Sequence, residues 1–198
     1  MEKYLASSTF ELELYNATSN SNANQASTKG MYLIAEKSYN YECLLTIIAR
    51  IRQRLISDQR KKWKRINKTV HLIEFLLKNG SFQFVIVFID KFLSLVKPYV
   101  NYTYSEDGTD RGYAGRNRLT EVRECCKRIL ELARDRQKLK QERAESGKLK
   151  KRIQGEGSNK PRREGAPREK KRYVIDEDAF YNQKDGEEDG DENPKPKT

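Results

Sequence analysis

The chain's 198 residues suffice for one well-cored domain, or for one domain and a long solvated tail, but not for two full domains. Charged residues make up 35% of the chain against 36% apolar, which excludes a uniformly packed globule. The longest apolar run, Phe84 to Ile89, falls far short of the ~20 residues that span a bilayer, and no stretch of signal-peptide character follows Met1. A protein of the cytosol or nucleus with reduced thiols is expected.

In chain order, Phe10, Leu12, Leu14 and Tyr15 fit a short helix, although their near alternation leaves a strand open. A polar connection from Ser19 to Lys29 follows. Leu44, Ile48, Ile51 and Leu55 recur at i, i+4, i+7 and i+11 with Arg50, Arg52 and Arg54 interleaved, an amphipathic helix. A second starts at Trp63, carries Ile66, Val70, Ile73 and Leu77 on one face, is widened by Leu72, Phe75 and Leu76, and stops at Asn79-Gly80. Residues 82–96 have strand composition from Phe82 to Phe88, yet the apolar pattern resumes at Phe92 and runs to Pro98, so length argues for a helix buried almost all round. Residues 97–115 are a polar, glycine-bearing connection. From Arg116 to Lys140, Leu119, Val122, Cys126, Ile129 and Ala133 form the stripe of a last helix that closes the domain. The absence of any strand-turn-strand series makes the class all-α.

Beyond that point the charge changes character. Residues 1–140 hold 25 Lys+Arg against 15 Asp+Glu, residues 141–175 hold 12 against 5, and residues 176–198 hold 3 against 9. The expected organisation is a folded domain at 1–145 and a disordered tail at 146–198, basic to about 175 and then acidic.

Signatures of catalysis are missing. There is no Gly-rich phosphate loop and no nucleophile elbow, and the single histidine, His71, sits within a helix where a structural role is expected. Cys43, Cys125 and Cys126 lack the paired spacing of a zinc site and read as packing residues. Asp107 and Asp110, beside Gly108 and Gly112, read as turn formers. Neither an enzyme nor a cofactor or metal is expected.

The concentrated feature is residues 50–68, where Arg50, Arg52, Arg54, Arg60, Lys61, Lys62, Lys64, Arg65 and Lys68 face the single acid Asp58. This crowding spans the end of one helix and the start of the next, whose free N–H groups also favour anions. Nucleic acid would want exposed aromatics among the cations, and the one present, Trp63, reads as a core anchor. A lipid surface needs only several cations around a shallow pocket, at roughly 1 kcal/mol per basic residue near an anionic leaflet. Composition leaves both open.

Three motifs narrow the choice. Ala17-Thr18-Ser19-Asn20, the run from Trp63 through Lys68 to Ile73-Glu74-Phe75-Leu76-Leu77-Lys78-Asn79-Gly80-Ser81, and Asp107-Gly108-x-Asp110-x-Gly112-x-x-x-Arg116 resemble, in order and spacing, the epsin N-terminal homology (ENTH) domain family over about residues 8–145. The resemblance implies an all-α superhelical stack of roughly seven to eight helices that binds phosphoinositides. In that family the head group is held by an Asn after the first helix, an Arg late in the third, and Lys, His and Lys around the start of the fourth. Carried across, these roles fall on Asn20, Arg54, Lys61, Arg65 and Lys68, with Arg65 in the place of the His. A slightly longer loop between Leu55 and Trp63 makes Lys62 interchangeable with Lys61. The resemblance further implies a non-enzymatic peripheral adaptor on plasma-membrane or Golgi–endosomal surfaces in clathrin-linked trafficking or endocytosis. Its alternatives are a basic nucleic-acid-binding protein and a lipid-independent module for a vesicle-fusion (SNARE) helix. In the tail, Asp176 to Phe180 resembles an acidic-aromatic peptide for a clathrin-adaptor appendage, and Val174-Ile175-Asp176 weakly resembles a clathrin-binding box. Lys148, Lys150, Lys151 and Arg152, with the cations from Arg162 to Arg172, offer non-specific attraction to anionic lipid.

Overall fold

The computed structural model describes residues 9–20, 27–56, 63–103, 113–155 and 177–182, with the backbone alone at 113–118 and 153–155. They form the helices α1 (Thr9–Asn16), α2 (Thr28–Lys37), α3 (Tyr41–Ile56), α4 (Trp63–Asn79), α5 (Phe82–Lys91), α6 (Leu93–Val96), α7 (Tyr113–Arg134), α8 (Arg136–Gly155) and α9 (Glu177–Asn182), with a 3-10 turn at Lys97–Asn101. No strand occurs among the described residues, so the all-α reading holds and the first apolar segment is a helix. No described helix is long and apolar enough to cross a membrane.

Helix α4 is the centre, packed by α2, α3, α7 and α8. Its Leu72, Ile73, Leu76 and Leu77 are fully buried, against a layer that includes Ile34 of α2, Ile47 and Ile51 of α3 and Val122, Cys126 and Ile129 of α7. A helix apolar on most of its circumference is stable only when other helices cover it. Short polar side chains set the joints. Ser27 Oγ caps α2 through Gly30 N at 2.9 Å, and Asn40 Oδ1 caps α3 through Glu42 N and Cys43 N at 3.0 and 3.2 Å. At the end of α4 the chain turns so tightly that a Cβ on Gly80 would sit 2.6 Å from the Leu76 carbonyl oxygen. The buried Ser81 then starts α5, its N–H donating to Ser38 Oγ (2.7 Å) and its Oγ accepting from Phe84 N.

Two expectations are corrected. Residues 82–96 are not one helix: α5 ends at Lys91, Phe92 breaks the ladder, and α6 runs into the 3-10 turn that contains Pro98. That turn brings Tyr99 to α3, where its hydroxyl donates to the Leu55 carbonyl at 2.8 Å, and Ile86, Val87 and Ile89 stay partly exposed. The helix expected from Arg116 to Lys140 is two, because Asp135 Oδ1 accepts from Lys138 N at 2.8 Å and begins α8 as an N-cap.

The expected boundary at 145 falls inside α8, which continues to Gly155, and residues 177–182 form α9 against α8 and Phe82. Charged contacts rather than an apolar stripe hold α8. Arg143 donates to the Leu77 and Gly80 carbonyls at 2.7 and 3.0 Å, Lys78 pairs with Glu142 at 3.1 Å, and the Lys150 ammonium lies 5.9 Å from the Tyr32 ring centre. The two Arg143 bonds satisfy carbonyls left free at the end of α4. Gly147 sits mid-helix with nothing within 4 Å of where a Cβ would be. Gly147→Ala is therefore expected to stabilise the protein by about 1 kcal/mol, the helix-propensity difference, read as a higher urea midpoint at unchanged slope.

Candidate functional site

The candidate site lies where the C-terminal halves of α1 and α3 meet the first turns of α4. After Asn16 the backbone closes a tight turn: Thr18 Oγ1 donates to the Leu14 carbonyl at 2.8 Å and Ser19 Oγ to the Asn16 carbonyl at 3.4 Å, with both residues buried. From α4, Lys68 Nζ reaches the Asn16 carbonyl and Ser19 Oγ, each at 3.4 Å. The Ala17-Thr18-Ser19-Asn20 motif is thus a buried turn gripped by Lys68, with Asn20 exposed at its edge.

Arg54 approaches the same turn from α3. It is 8% exposed, and its guanidinium Nε is buried without a hydrogen-bond partner among the described residues. Burial, then the nearby charges of Arg65 and Arg50, lower its pKa, while Tyr15 of α1 opposes them. Lys68 is lowered by burial and then by Lys64. A buried cation beside other cations costs free energy unless an anion offsets it. Arg65 is half-buried one turn before Thr69, whose Oγ1 donates to the Arg65 carbonyl at 2.7 Å.

Of the residues expected from sequence, Lys68 contacts the α1 turn, Arg54 lies within electrostatic reach of Tyr15 of α1 and of Arg65, and Asn20 is exposed at the edge of the turn. Lys61, Lys62 and residues 107–112 of the third motif lie outside the described residues, and Arg116 is described only by its backbone within α7. Sequence reasoning missed Asn16 and Ser19 as partners of Lys68, although the Thr18-Ser19 pair carried the signal. Trp63 is partly buried against the core, as expected of an anchor, with the Lys64 ammonium 5.6 Å from its ring centre.

His71, Glu74 and Cys125 place ligand-type atoms within 4.8 Å of one another on α4 and α7. The set is an ion-pair knot. Arg128 donates to both Glu74 oxygens (3.0 and 2.9 Å), Lys78 lies 3.3 Å from Oε1, and Cys125 Sγ donates to Oε2 at 3.2 Å. Burial, then the Glu74 charge, push the Cys125 thiol up, opposite to what a thiolate ligand requires. His71 Nε2 is 3.0 Å from Glu121, at the surface.

Comparison with known proteins agrees with this architecture. The family model described as "ENTH domain" matches residues 7–139. Epsin of Dictyostelium discoideum is 35% identical over 133 residues, 67% of this chain and 18% of that protein. The chain spans about a fifth of the length of the curated relatives it matches. The structure of the endocytic adaptor complex AENTH is similar at TM-score 0.58 and 31% identity, covering 70% of this chain and 88% of that one. The ENTH domain from epsin-2 in complex with phosphatidylinositol 4,5-bisphosphate is similar at TM-score 0.59 and 25% identity, covering 73% and 93%. With an all-α stack around α4 and a family match over residues 7–139, the chain belongs to the ENTH domain family.

Proposed function

We propose that this chain acts as a peripheral membrane adaptor that captures a phosphoinositide head group at the α1–α3–α4 pocket and works in clathrin-linked vesicle trafficking or endocytosis. Arg54 carries the reading: a buried guanidinium crowded by Arg65 and Arg50, with an unpartnered Nε, is an arrangement that an anion completes. A phosphate at this site would take charge-assisted hydrogen bonds from Arg54 and Arg65, with Lys68 fixing the turn that presents Asn20 and with Lys61 or Lys62 as a further candidate ligand. The epsin-2 ENTH domain, whose structure holds phosphatidylinositol 4,5-bisphosphate, supports the choice of ligand class. Clathrin or a clathrin adaptor is the proposed protein partner, on the likeness to curated relatives named clathrin interactor 1.

The test is sedimentation of the full chain with liposomes of equal total charge that differ only in phosphoinositide species, with an RNA oligonucleotide as competitor. Preference for one head group, undiminished by RNA, is the expected result. Binding that follows charge alone and is abolished by RNA would overturn the reading.

A further inference from the structure

Helix α9 has six residues, too few to be stable alone, and lies outside the matched region 7–139. It is nevertheless docked in detail. Phe180 packs edge-on against Phe82 of α5 at 5.1 Å between ring centres, and Tyr181, 5% exposed, lies 5.5 Å from the same ring. The Arg136 guanidinium sits 4.6 Å over the Phe180 ring and donates to the Phe180 carbonyl at 3.0 Å. Lys140 pairs with Asp178 at 2.9 Å and lies 5.4 Å from the Tyr181 ring, and Gln137 Nε2 donates to the Tyr181 carbonyl at 3.0 Å. Arg143 lies 5.9 Å from the Phe82 ring centre and hydrogen-bonds the end of α4.

The receiving surface is built for this chemistry. Arg136, Lys140 and Arg143 fall at i, i+4 and i+7, one face of α8. Lys140 of this face pairs with Asp178, while Phe82 supplies the apolar floor. An open cleft of about 450 Å³, bordered by Tyr39, Lys140, Gly147, Lys150, Glu177 and Tyr181, continues along α8 beside α9. The surface therefore extends past its six-residue occupant.

We propose that the face formed by the basic stripe of α8 and Phe82 is a binding site for acidic peptides bearing an aromatic pair, and that residues 177–182 are its intramolecular ligand. That ligand is part of the same chain as the face it covers, and a covalent link of about twenty residues supplies an effective concentration on the order of millimolar, enough to hold a weak contact closed. A segment of the same chemistry presented in trans must displace α9 to bind. The site is separate from the cationic pocket and stands whatever that pocket binds.

The experiment uses a fluorescein-labelled peptide of residues 174–184, titrated by anisotropy against the full chain and against the full chain carrying Phe180→Ala and Tyr181→Ala. Binding at least ten-fold tighter to the double variant is expected, and adding Arg136→Glu and Lys140→Glu to it should weaken that binding at least ten-fold. Equal affinity for both chains, no binding to the double variant, or indifference to the charge reversals would overturn the proposal. Loss of the cooperative thermal transition in the double variant would overturn it too, since α9 would then be part of the fold and not a ligand.

Discussion

Replacing Arg54 and Arg65 together by methionine is expected to weaken binding to phosphoinositide liposomes by about 100-fold or more, since each charge-assisted hydrogen-bonding group is worth about 1.5–3 kcal/mol. The melting temperature should stay the same or rise. Arg54 is buried, its Nε lacks a partner among the described residues, and its neighbours carry like charge, so the unliganded fold bears a desolvation cost that methionine removes while filling similar space. Liposome sedimentation and a thermal melt on one preparation test both halves. A change in dissociation constant of two-fold or less would remove the site assignment, and a large fall in melting temperature would make Arg54 a structural residue. Stability given up at a binding site is the expected signature of function.

Acid should weaken the fold through Glu74. Burial alone would raise its pKa, but the hydrogen bonds from Arg128 and Cys125 and the charges of Arg128 and Lys78 outweigh it and lower the value from 4.5 to about 2. A depressed carboxyl stabilises the folded state above its unfolded pKa, and that contribution is lost as pH falls from about 4.5 through about 2. For a side chain only 14% exposed, the shift corresponds to stability on the order of 3 kcal/mol. Glu74→Gln should lose about that much at pH 7 and much less at pH 2, so urea midpoints of the two proteins converge in acid. Parallel curves across that range would show that the Arg128 pairing contributes nothing.

The helices with apolar stripes were legible because period and burial are the same information. Leu44 to Leu55 and Trp63 to Asn79 became α3 and α4, and the Asn79-Gly80 stop fell where the backbone turns. The joint at Asp135 was overlooked although its residue type announces it: a cap interrupts a helix without interrupting the apolar stripe, so periodicity reads through it. For the site, the crowding of cations at 50–68 is written in the chain, whereas the grip of Lys68 on Asn16 and Ser19 joins residues about fifty positions apart.

The sequence by itself thus determined the all-α class, the central amphipathic helices and the place of the positive charge, because these depend on local period and composition. Only the tertiary structure decided that α8 is part of the fold and that α9 docks upon it. Arg143 binds α4 through carbonyl oxygens, and Phe180 and Tyr181 find Phe82 from nearly a hundred residues away. A charged segment reads as solvated until the helix end that satisfies its cations is known, and that helix end exists only once the stack around α4 has formed.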